Sequence, residues 1–164
     1  MNLRVRDQMA KLRSTSAPSA TVLVRLLVGG VFLLEGLKKF LFVEQWGAGR
    51  FAHIGIPWRQ VMAPFDGAFE VACGVLLLVG LLTRLAAVPL LIDITVAIVS
   101  TKIPVLLGHG IWKFTLMKLP RYGFLSMIHE ARTDLSMLLG LIFLLVVGPG
   151  RWSLDTWRAK KHGN

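Results

Sequence analysis

Residues 65–103 read FDGAFEVACGVLLLVGLLTRLAAVPLLIDITVAIVSTKI, and this stretch decides the fold. It holds two apolar runs, about 65–82 and 85–103, joined at Thr83-Arg84. A bilayer core about 30 Å thick needs about 20 mostly apolar helical residues, so each run is a candidate span. A joint this short forces the two helices to run antiparallel. Outward from this pair, a third apolar run covers about 21–43 and a fourth about 132–148, where Gly148-Pro149-Gly150 stops the helix. The reading is all-α: an integral membrane four-helix bundle over 21–150, between a basic flexible lead (1–20) and a basic tail (151–164).

Composition agrees. Of 164 residues, 54% are apolar and 17% charged, and the mean hydropathy is +0.63. Such a chain has too much apolar surface to stay disordered. The net charge of +10 is carried by Lys and Arg at the ends of apolar runs, not on a polar face interleaved with aromatics. That pattern excludes nucleic acid and fits anionic lipid headgroups. Cys73 is the single cysteine, so no internal disulfide forms, and no Cys/His spacing fits a metal site; no metal is expected. A signal peptide is the competing reading of the N-terminus. It is rejected because the run after Arg13 is too long and carries Glu35, Lys38 and Lys39 without a small-residue cleavage site.

Four spans put both termini on one side. Basic residues divide evenly, nine to each side, but are denser around the termini, which are therefore placed inside the cytoplasm. The long connections 44–64 and 104–131 hold Trp46, Trp58, Trp112 and Tyr122, side chains that favour the membrane interface. The second connection is expected to lie along the membrane surface.

Acids within spans cost ~2.5–3.5 kcal/mol at a helix centre, so each needs a partner or a wet cavity. Glu35, Glu70 and Asp93 qualify. By direction of travel all three fall at the midplane or in the outward half, and His129, Glu130, Arg132 and Asp134 enter the fourth span at that level. Glu35 stands three and four residues before Lys38 and Lys39, the favourable order for local pairing. Asp66, Glu70, Cys73 and Leu77 share one face of their helix, and Arg25, Gly29, Phe32 and Gly36 share another. Small residues beside ionisable ones suit close helix packing in lipid. The candidate ligand pocket therefore comprises Glu35, Lys39, Glu70, Asp93, His129, Glu130, Arg132 and Asp134. Taken singly, Arg25, Arg84 and Asp93 read better as structural pairing, and Cys73 reads as a small buried hydrophobe. At the opposite face, Arg25, Arg84, Gly148, Pro149, Gly150, Arg151 and Asp155 form a structural motif in which Asp155 is expected to pair with Arg25 or Arg84.

The order Arg25-Leu-Leu-Val-Gly29, Glu35-Gly36-Leu-Lys-Lys39, Phe69-Glu70, Gly80-Leu-Leu-Thr-Arg84, Asp93, His129-Glu-Ala-Arg-Thr-Asp134 and Gly148-Pro-Gly-Arg-Trp-Ser-Leu-Asp155 resembles the DoxX family of small bacterial membrane proteins. The resemblance covers about 21–157. It implies a four-helix protein of the bacterial cytoplasmic membrane, in a family named for a subunit of a thiosulfate:quinone oxidoreductase and linked to thiol and oxidative stress. It transfers no catalytic set; Glu70, Arg84 and the 148–155 motif carry over only as recurrent positions.

The leading expectation is a quinone-proximal or membrane-anchoring component of a redox system, at most an oxidoreductase subunit. No flavin or nicotinamide fingerprint is present and no covalently bound cofactor is expected, so a quinone or a soluble redox protein would supply the electron chemistry. The alternatives are a binder or carrier of a small amphiphile or cation, and a structural scaffold for a soluble partner.

Overall fold

The computed structural model describes residue 15 and residues 17–161, so the expected basic lead lies mostly outside the described residues, as do the last three of the tail. In chain order the helices are α1 (Thr21–Leu41), α2 (Val43–Trp46), α3 (Ala48–Ile54), α4 (Arg59–Val79), α5 (Thr83–Ala97), a π-helical turn (Ile98–Lys102), α6 (Ile103–Leu107), α7 (Phe124–Val147) and α8 (Leu154–Lys161). Among the described residues there is no strand, only an isolated bridge between Ile111 and Phe114. The protein is all-helical.

Two stretches, Arg59–Val79 and Thr83–Leu107, are long and apolar enough to cross a membrane. α1 and α7 match them in length, with 21 and 24 residues, but their charges are placed so that any 18-residue stretch holds three or more. α1 carries Arg25, Glu35, Lys38 and Lys39, and α7 carries Glu130, Arg132 and Asp134. α4 begins six residues before the apolar run at 65, and α7 eight before 132. A helix does not end where its apolar run ends: Arg59, Gln60 and Met62, and Leu125 and Met127, are good helix formers. For the same reason much of 44–64, read as a connection, is helical in α2, α3 and the start of α4.

α1 packs mainly on α4, and α5 on α7. Glycine sets the first contact. A Cβ on Gly29 would lie 2.9 Å from the Gly74 carbonyl oxygen, and one on Gly36 would lie 2.7 Å from that of Gly67. The antiparallel backbones thus touch at two places seven residues apart on each helix. This is the close approach that small residues permit where no hydrophobic force drives helices together. Around these contacts Val28, Phe32, Leu77, Leu90, Leu141 and Leu144 make the buried core.

Between α4 and α5 the chain reverses within three residues. Gly80 (φ +69) and Leu82 (φ +50) are both left-handed, and at Gly80 a side chain would strike the Arg25 guanidinium, whose carbon lies 2.6 Å from the Cβ position. Glycine is required here twice over.

Three charged side chains finish the helices at this turn end. Arg25, only 2% exposed, donates from Nε to the Leu77 carbonyl at 2.8 Å and from Nη2 to Leu78 at 2.6 Å, the last turn of α4. Its Nη1 reaches the carbonyls of Pro149 and Trp152. Arg84 donates to the Leu145 and Val146 carbonyls at the end of α7, at 3.0 and 3.1 Å. Asp155, fully buried, accepts from the Thr83 N–H at 3.2 Å, the first residue of α5. Each charge has the sign that the helix end favours, and each satisfies backbone groups that a helix terminus leaves open. Asp155 also lies within electrostatic reach of Arg25. The tail is therefore docked: the Asp155 N–H donates to the Gly80 carbonyl at 3.0 Å, and α8 follows.

Candidate functional site

The Gly36 and Gly67 contact also builds the site. One turn further along α1 stands Lys39, and on α4 Glu70 and Asp66 flank Gly67, so the backbone approach drives this lysine against both acids. Lys39 Nζ donates to Asp66 Oδ2 and Glu70 Oε2. Glu70 is buried and the Lys39 side chain is 12% exposed. Asp93, from α5, closes the cluster: one oxygen each from Asp66, Glu70 and Asp93 lies within 4.8 Å of the others. Among the described residues this is the group whose donor atoms could hold a cation, all oxygens, as hard cations require. Lys39 already stands against two of the three carboxylates, so the cluster carries a counter-cation of its own.

The cluster lies in a cavity of about 650 Å³, within the range of small-molecule sites. All four long helices contribute. α1 brings Phe32, Glu35 and Lys39, α4 brings Phe65, Asp66, Phe69 and Glu70, α5 brings Ile92, Asp93 and Val96, and α7 brings Glu130, Asp134 and Met137. Trp46, Arg50 and Phe51 of α2 and α3 also line it. Apolar walls with a few convergent charges make a site for a molecule with an apolar body and a polar end.

Of the expected pocket residues, Glu35, Lys39, Glu70, Asp93, Glu130 and Asp134 line this cavity. His129 and Arg132 do not. Both are exposed, and Arg132 Nη1 turns back to the His129 carbonyl on its own helix. They occupy the outer face of the first turns of α7, while Glu130 and Asp134, four residues apart, share its inner face. Asp93 joins the cluster rather than a structural pair. Glu35 pairs with Lys38 at 2.7 Å, whereas Lys39, its other expected partner, turns away to α4.

Two members of the site lie outside the expected pocket set. Asp66 reads on the same helix face as Glu70, and that face is itself the signal that the two acids act together. Lys102, read only as a base at the outward end of the apolar run 85–103, is 8% exposed and pairs with Asp134 at 3.3 Å. The π-helical turn Ile98–Lys102 is responsible. Its extra residue per turn rotates the register, and Ser100, Thr101 and Lys102 line the cavity together. Such single π turns inside α-helices recur at functional sites.

Comparison with known proteins fits this picture. The DoxX family model matches residues 20–103. The chain belongs to the DoxX family. It is 53% identical over 151 residues to the uncharacterized membrane protein Rv3486 of Mycobacterium tuberculosis, covering 92% of this chain and 88% of that one. It is 31% identical over 147 residues to CatD of Bacillus subtilis, provisionally named an oxidoreductase, covering 88% of this chain and 92% of CatD. No solved structure matches it. The protein is thus a membrane protein of the DoxX family, and its matched segment contains Lys39, Asp66, Glu70 and Asp93.

Proposed function

We propose that this DoxX protein crosses the bacterial cytoplasmic membrane four times and works as the quinone-proximal component of a redox system. α1, α4, α5 continuing through α6, and α7 are the spans in this reading, and the turn end with both termini faces the cytoplasm. The observation that carries it is the cluster of Lys39, Asp66, Glu70 and Asp93 within a 650 Å³ cavity. None of these four charges caps a helix end, so helix capping does not explain them.

Reduction of a quinone to the quinol takes up two electrons and two protons. The Lys39 ammonium is placed to donate a hydrogen bond to a quinone oxygen and to offset the charge that develops there. Glu70 and Asp93 are placed to give the two protons and to be recharged from water at the pocket end. Groups held at the reacting atom in a cavity of low dielectric do this better than water does. The electrons come from a soluble redox protein docked on the membrane. The name of the Bacillus relative supports the reaction class and extends no further.

The test is direct. Purified full-length protein titrated with a naphthoquinone should show a rise in melting temperature, and Glu70→Gln should remove that rise while leaving the unliganded melting temperature nearly unchanged. No bound quinone after purification and no quinone-induced shift would sink the proposal. One observation favours a second reading. The acids lining the cavity (Glu35, Asp66, Glu70, Asp93, Glu130, Asp134) outnumber the bases (Lys38, Lys39, Arg50, Lys102), which suits a cationic amphiphile. Saturable binding of such a cation, lost in Glu70→Gln without any redox change, would select it.

A further inference from the structure

The acids of the cluster share a sequence pattern that the redox reading does not use. Each follows directly on a large hydrophobe: Phe65-Asp66, Phe69-Glu70 and Ile92-Asp93. Adjacent residues on a helix point about 100° apart, so a helix that turns the acid inward sets the hydrophobe beside the rim. Phe65, Phe69, Ile92 and Val96 all line the cavity. They are also 56%, 44%, 63% and 48% exposed. Residues that are both lining and exposed mark where a cavity opens.

Their depth follows from the turn that joins α4 to α5. Phe69 stands ten residues before the end of α4, and Ile92 nine after the start of α5; both lie about 14–15 Å from the turn end. Phe65 and Val96 stand fourteen and thirteen residues away, about 20 Å. The four side chains thus form two matched pairs across the seam between α4 and α5. In a span of about 30 Å the first pair lies at mid-depth, level with Glu70 and Asp93. An opening at this level faces hydrocarbon.

We propose that the seam between α4 and α5 is a lateral portal by which an amphiphile dissolved in the bilayer reaches the acid cluster. This rests on the four-span reading above. The polar head passes between Phe69 and Ile92 to Lys39, Glu70 and Asp93, and the apolar tail stays in lipid against Phe65 and Val96. The tilted contact of Phe65 and Phe69, with ring centroids 4.8 Å apart, gives the tail a continuous aromatic wall. The substrate class is a tailed molecule, a prenylated quinone in the reading above, and a water-soluble analogue gains nothing from this route.

Two measurements on the full chain in lipid vesicles decide it. In the first, a long-chain alcohol with a diazirine beside its hydroxyl head is photolysed in the bilayer and the adducts are mapped. Adducts are expected on Asp66, Glu70 or Asp93, falling about tenfold in Ile92→Trp, which plugs the rim, and rising in Phe69→Ala, which widens it. Adducts confined to outward residues such as Leu34 and Val75, with the acids modified only by a water-soluble carbodiimide, would overturn the portal. In the second, binding of a prenylated naphthoquinone is compared with binding of menadione, the same ring without a tail. Ile92→Trp should weaken the tailed ligand about tenfold and menadione less than about twofold. Equal loss of both, or loss of neither, overturns the portal. Failure of the wild type to bind any quinone removes the redox reading alone, because the photo-adducts of the alcohol still decide the opening.

Discussion

The two ends of this helix bundle hold similar numbers of buried charges and use them in opposite ways. At the turn end, Arg25, Arg84 and Asp155 each close a helix terminus, and the donors and acceptors they meet are backbone groups of the first or last turn of a helix. At the pocket end, Asp66, Glu70 and Asp93 stand mid-helix, and Lys39, in the last turn of α1, turns its ammonium to the acids and the cavity and not to the carbonyls of its own helix end. The first arrangement is fixed by the number of open carbonyls. The second has three carboxylates around one ammonium and leaves chemistry over. Burial alone therefore does not separate a structural charge from a functional one; what it neutralises does.

Arg25→Met is the most severe way to break the comparison. It strips the Leu77, Leu78, Pro149 and Trp152 carbonyls of a donor, and a carbonyl in a dry interior has no means of discharging itself. A loss of about 3–5 kcal/mol is expected, as when one member of a buried charged set is removed. Folded yield in detergent should collapse. A variant that melts within a few degrees of the wild type would show that the turn end is not held by this guanidinium.

Lys39→Met should cost less than Arg25→Met, although it leaves three carboxylates without their ammonium. Carboxylates can take up protons through the open cavity and so shed the charge that makes their burial costly. The variant's loss of stability should therefore be larger at alkaline than at acidic pH, read as melting temperature against pH beside the wild type. A deficit independent of pH would mean that Lys39 acts by packing alone, and the contrast between the two ends would then rest on Arg25 only.

The two ends also differ in what the sequence revealed of them. At the turn end Gly80, Arg84, Gly148, Pro149 and Asp155 were legible, because a reversal between helices needs residues of these kinds at these places. Which carbonyls Arg25 would reach was not, since Leu77 and Trp152 are brought to it by the crossing of α1 with α4 and the return of the tail. At the pocket end, apolar runs interrupted by acids revealed Glu70 and Asp93 as anomalies. They could not reveal that Lys39 leaves Glu35 for α4, a choice made by the Gly36 and Gly67 contact between two helices far apart in sequence. Lys102 was least legible. Hydropathy sets it at the outward end of the run 85–103, among the interface bases, and the π-helical turn carries it into the wall. The starts of α4 and α7 were not legible for a related reason, since hydropathy reports apolar surface and the backbone continues in helix past it.

Lys38→Gln is the mildest test and sharpens the comparison at its nearest point, the residue beside Lys39. Lys38 and Glu35 are an i, i+3 pair on α1 with side chains 32% and 43% exposed, and the ammonium also lies 4.2 Å from the Trp46 ring centroid. A pair this open is worth roughly 0.5 kcal/mol. The expected outcome is a melting temperature and a quinone affinity both close to those of the wild type. Neighbours on one helix would then differ entirely in consequence: the more exposed lysine satisfies an acid that solvent could satisfy as well, and the more buried one is the ammonium that holds Asp66 and Glu70 together. A large loss of ligand binding in Lys38→Gln would instead place Glu35 among the working groups of the cavity, and would move the boundary of the site one helical turn toward the rim.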